Sequence, residues 1–84
     1  MIQVTELNKN EFEVTVTLKE ISTHIVFLDD NMHQELCHNN MSKTDLIIKS
    51  FQFLLKRESN TSILTRFKLD HIGYYFPEYL NTFN

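Results

Sequence analysis

The chain has 84 residues, of which 42% are hydrophobic and 23% charged, and its formal net charge is −3. A chain this short buries only roughly 60–65% of its unfolded surface, so it makes one domain, 1–84, with one modest core. The balance excludes wholesale disorder, and an acidic chain with scattered Lys and Arg argues against phosphate-driven nucleic-acid binding. No basic start leads into an apolar run and a cleavage site, so no signal peptide is expected. No apolar stretch approaches a membrane span. Cys37 is the single cysteine, which rules out an internal disulfide and fits a reducing cytoplasm.

Taken in chain order, "IQVTEL" (Ile2 to Leu7) alternates weakly and "EFEVTVTL" (Glu11 to Leu18) alternates cleanly. Period two with β-branched residues predicts two half-buried strands. Asn8 to Asn10 join them as a hairpin turn, where Asn tolerates a left-handed backbone. "THIVFL" (Thr23 to Leu28) reads as a third strand, apolar on both faces near its end. If the meander runs in order, this strand is also an edge, with amides and carbonyls free to pair.

Asp29 or Asp30 can cap a short helix carrying Met32 and Leu36 on one face. Asn39 and Asn40 end it. Ser42 and Asp45 fit a capping box that opens a long helix from Ser42 to Arg57. At 100° per residue its Leu, Ile and Phe side chains sweep an arc of roughly 220°, about twice the width a helix on one sheet needs. It must therefore be covered from two sides. The cover within the chain is "SILTRFKLDHIGYYFPEYLNTF": Ile63, Leu64 and Phe67 suggest a helical turn or two, and Leu69, Ile72 and Tyr75 another. Pro77 starts a last turn with Tyr79, Leu80 and Phe83. The expected fold is α+β: an N-terminal three-stranded antiparallel meander, a short helix, a long central helix and a C-terminal tail of short helical turns.

Two resemblances attach to these residues. The stretch "HIVFLDDNMHQELCHNNMSKTDLIIKSFQFLL" resembles a ribbon-helix-helix motif, which implies a dimer whose paired strands enter the DNA major groove. The pattern "SFQFLLKRE", "SIL", "FKL", "YFPEY" is similar to a family of small, uncharacterised bacterial proteins. That likeness implies an α+β domain and supplies no activity.

Candidate chemistry is sparse. His33 and Cys37 are four apart, with His38 adjacent, and two residues at that spacing can share a zinc ion. A closed site needs four ligands, and only His24, His71 or a carboxylate could complete it, so no metal and no cofactor are assigned. Cys37 with a His as nucleophile and base would need an orienting group and an oxyanion hole. No such constellation is visible, so no catalytic residue is assigned and the chain reads as a non-enzyme. Gly73 inside "HIGYY" fits close packing or a turn better than a phosphate loop. What remains is an interaction or regulatory module with a protein partner or a second copy. The candidate interface is Thr23, Ile25 and Phe27, with Tyr74, Tyr75 and Tyr79 from the aromatic tail. The alternative is a ribbon-helix-helix-like DNA-binding regulator or antitoxin.

Overall fold

The alternation of Glu11–Thr17 builds strand β2, whose Phe12, Val14 and Val16 are buried while Glu11, Glu13 and Thr15 stay half-covered. In this computed structural model, which describes residues 1–83, β2 pairs antiparallel with β1 (Ile2–Glu6) on one side and β3 (Ile21–Phe27) on the other. The expected meander is present, with β3 starting two residues earlier than Thr23. The first hairpin closes through Met1, whose amino group donates to the Thr17 carbonyl at 2.7 Å.

Its turn works differently from expectation. None of Asn8 to Asn10 has a positive φ. Instead the Asn8 side-chain oxygen accepts from the amides of Asn10 and Glu11 at 2.9 and 3.0 Å. That side-chain bond mimics a backbone turn and removes the need for a left-handed residue.

Helix α1 (Asp30–Cys37) is capped by Asp29, whose carboxylate accepts from the Met32 amide at 2.8 Å. It ends where His38 and Asn39 both take left-handed conformations, φ 54° and 58°. Helix α2 (Lys43–Leu55) opens on Ser42, whose hydroxyl accepts from the Asp45 amide at 3.0 Å, the forward half of the predicted capping box. Lys43 and Lys9 both reach the Asp30 carboxylate, at 2.9 and 3.1 Å, and hold it below the usual carboxylate range. The first hairpin and the starts of both helices thus meet at one charge cluster, in which the Lys43 side chain is largely covered.

The tail corrects the expected helical turn at Ile63 to Phe67. After a 3-10 turn at Asn60–Ser62, the chain extends into β4 (Arg66–Lys68), parallel to β3 in a sheet ordered β1-β2-β3-β4. Two causes act together. The string Arg66-Phe67-Lys68 alternates, with Phe67 alone buried. An unpaired β3 would also leave its amides without partners, and the Ile25 amide instead donates to the Thr65 carbonyl at 2.8 Å. Strand β3 is therefore not an edge over Ile25–Phe27. The rest of the tail is helical as expected: a 3-10 turn at Leu69–His71, a single turn α3 (Ile72–Tyr75) and a 3-10 turn at Pro77–Asn81. Gly73 is a close-packing residue. A Cβ there would sit 2.5 Å from Cδ2 of Leu80.

A polar lock fastens the tail to β3. His24 is 1% exposed. Its Nδ1 lies 2.8 Å from the Leu64 carbonyl, which can only accept, so Nδ1 carries the proton. Its Nε2 then accepts from the Ser22 hydroxyl at 2.8 Å. Asn60 donates to Ser22 Oγ at 2.9 Å and to the Glu20 carbonyl at 3.0 Å. Both ring nitrogens of His24, the Ser22 hydroxyl and the Asn60 amide nitrogen are paired in this chain of bonds, as buried groups require.

Helix α2 is enclosed as its sequence demands, with Leu46, Ile47, Phe51 and Leu54 buried. Burying each such side chain stabilises the fold by roughly 1.5–3 kcal/mol. Tyr79 of the tail is 1% exposed and stands edge-on to Phe53 and Phe83. Its hydroxyl is 2.7 Å from Ser50 Oγ, which donates in turn to the Leu46 carbonyl at 2.7 Å. Burial, above all, pushes the phenol above its ordinary value, so it stays protonated and donates.

Ser50→Ala strands the buried phenol and should cost about 1–3 kcal/mol, whereas Tyr79→Phe removes the donor and should cost about 0.5–1.5 kcal/mol. Denaturant titration separates them, and the double variant should lie close to Tyr79→Phe alone. An unfolded tyrosine ionises near pH 10.0. Above that pH the unfolded chain loses the Tyr79 proton while the fold retains it, so stability present below pH 10 falls as pH rises. Tyr79→Phe should flatten that part of the alkaline stability curve.

Candidate functional site

Opposed residues in the sheet share a face. On β3 this puts His24, Val26 and Leu28 inward, all buried, and Ile21, Thr23, Ile25 and Phe27 outward. Ile21 is 69% exposed, Thr23 is exposed, and Ile25 and Phe27 are half-buried. Along one flank of this column stand Thr17, Thr15, Glu13 and Glu11 of β2; along the other stand Arg66 and Lys68 of β4. The helices and turns that complete the core lie against the opposite face. The outer face is thus an apolar ridge with acids on one side and bases on the other. Arg66 reaches across it to Glu11 Oε2 at 3.4 Å.

The expected interface residues are split among three places. Thr23, Ile25 and Phe27 share the outer face. Tyr74 and Tyr75 project from α3 and are 76% and 69% exposed, on the tail that covers the inner face. Tyr74 stacks on His71 with ring centres 4.9 Å apart. Tyr79 is a correction: its ring fills the core, and it has no surface to offer a partner. Three residues of the outer site were missed. Ile21 continues the alternation of "ISTHIVF" and could have been found from it. Arg66 and Lys68 became flanking residues only once "RFK" was recognised as a strand.

Beside Tyr75 an apolar cleft of about 390 Å³ opens between the end of α2, β4 and α3. Leu54, Ile63, Phe67, Phe76, Glu58 and His71 are among the residues that line it. Ser62 also lines it, with its hydroxyl 3.0 Å from Ser59 Oγ.

His33 Nε2 and the Cys37 thiol both face backbone carbonyls. His33 Nε2 donates to the Met41 carbonyl at 2.6 Å, and the Cys37 thiol faces the His33 and Met41 carbonyls at 3.4 and 3.9 Å. Both tie α1 to the turn that precedes α2. His38 is exposed at the helix end. Among the described residues, no three His, Cys, Asp or Glu side chains come together as a metal site. No helix among them is long and apolar enough to cross a membrane.

The Cys37 side chain is fully buried, so its reaction with a disulfide reagent should proceed only through opening of the fold. Its rate should rise with denaturant in step with unfolding; fast labelling of the native chain would show that the site around α1 is open. In comparisons with protein-family models, curated proteins and solved structures, this chain matched none.

Proposed function

We propose that the chain is a non-enzymatic interaction module that docks through the outer face of its sheet. The observation that carries this reading is the outward column of β3, where Ile21 is exposed and Ile25 and Phe27 are half-buried, Phe27 also touching the core. Exposed apolar surface is where a small domain meets a partner. The mode is face packing, in place of the strand addition expected for a β3 edge, because β4 occupies that edge at Ile25–Phe27. The ribbon-helix-helix alternative requires β3 to pair with β3 of a second chain. Hydrogen bonds to β2 and β4 on its two sides stand against that pairing. So does a strand whose outward side chains include no base.

The purified chain, immobilised, should capture a binding species from its source cell that is lost with Ile25→Lys and kept with Tyr74→Ala. Ile25→Lys should leave the fold intact, as circular dichroism would show. Equal capture by both variants would remove the outer face as the docking surface. A salt-sensitive mobility shift of DNA by the native chain would favour the nucleic-acid reading instead.

A further inference from the structure

The register of the sheet makes the charge pattern of the outer face self-complementary. Two rows of opposed residues cross it: Glu13, Ile25 and Arg66 in one, Glu11, Phe27 and Lys68 in the next. Each row runs acid, apolar residue, base. We propose that a second copy of this chain packs on this face, the two sheets related by a two-fold axis running along β3. This rests on the reading of the outer face as an interface and names its occupant.

The choice of axis follows from the charges. A two-fold along β3, lying between the sheets, keeps each row at its height and exchanges its left and right ends. Ile25 of one copy then meets Ile25 of the other, and Phe27 meets Phe27. Glu13 faces Arg66, and Glu11 faces Lys68, each pair occurring twice. A two-fold across the strands would instead lay acid on acid and base on base. The chosen arrangement is isologous, as closed dimers are, and it is the aligned packing that twisted sheets adopt, with faces about 10 Å apart.

The free chain presents little obstacle. The Arg66–Glu11 pair that spans the ridge has side chains 71% and 37% exposed. Such an exposed pair contributes little on its own, so it can exchange for a pair between copies. Thr15 and Thr23, opposed in register beside the ridge, offer hydroxyls and no charge. At about 3.4 Å per residue and 4.8 Å between strands, the patch projects to on the order of 300 Å² per copy. With about 600 Å² for the pair, that is below the standard size of specific interfaces, so the dimer is of the weak, transient kind and forms only at high concentration.

Sedimentation equilibrium of the purified full chain, from micromolar to millimolar concentration at low salt, tests this. The native chain should pass from monomer to dimer. Glu13→Arg and Arg66→Glu should each weaken the dimer by about tenfold or more, since like charges then face each other. An equimolar mixture of the two variants should dimerise again. In the mixed pair the two reversed side chains face each other, and so do the two native ones. Circular dichroism of each variant confirms that it folds. A native chain that stays monomeric throughout, or a mixture no better than either variant alone, overturns the proposal. So does a single variant that dimerises more tightly than the native chain, which would put the axis across the strands. If the native chain is monomeric but Ile25-dependent capture of another protein persists, the second copy is wrong and the interaction face stands. If both are lost, both readings fall.

Discussion

Helix α2 sets the terms for the rest of the fold. Its 13 residues hold so many Leu, Ile and Phe side chains that one sheet cannot cover them. A helix left half-wrapped in this way would expose several large side chains, each worth roughly 1.5–3 kcal/mol when buried. In a domain whose total stability is on the order of 4–12 kcal/mol, that loss would be decisive. The sheet covers one side with Phe12, Val14, Val16 and Val26, and the tail covers another with Ile63, Leu69, Ile72 and Tyr79. The tail is therefore part of the core.

Holding the tail in place has a consequence for the sheet. β4 attaches in parallel to β3, and the bonds running from Asn60 through Ser22 and His24 to Leu64 fix where it attaches. This seals the β3 edge at Ile25–Phe27, where the sheet would otherwise invite an added strand. It also delivers Arg66 and Lys68 to the outer face, opposite Glu13 and Glu11. One short strand thus closes an edge to strand addition and completes the charge pattern of the outer face. The link from core packing to the proposed interaction surface runs through this strand.

Much of this was legible in the sequence, for identifiable reasons. The clean period two of Glu11 to Thr17 and the capping residues Asp29 and Ser42 are local signals, and local signals survive folding. The breadth of the apolar arc on α2 correctly demanded a second cover. The misses share a different character. β4 is three residues long, too short for periodicity to separate a strand from a turn, and it exists because β3 offers it partners. The Asn8 turn was placed correctly, but its side-chain hydrogen bonds replaced the expected left-handed backbone. Tyr79 could have sat in core or surface by its chemistry. Only the position of Ser50 on the facing helix settles that its hydroxyl has a buried partner. Of the outer face, Ile25 and Phe27 were readable from alternation. Arg66 and Lys68 were not, because their place depends on a parallel pairing some 40 residues distant.

The central claim is that the tail and α2 form one cooperative core, which leaves the outer face of the sheet as the open apolar surface. Native-state hydrogen exchange measures this directly, residue by residue. The Ile25 amide, bonded to Thr65, should exchange only through global unfolding, with the same free energy and denaturant dependence as the amides of Leu54 and Val14. If Ile25 and the residues of β4 instead exchange through an opening of much lower free energy while α2 stays protected, the tail is an accessory cover and the account is wrong.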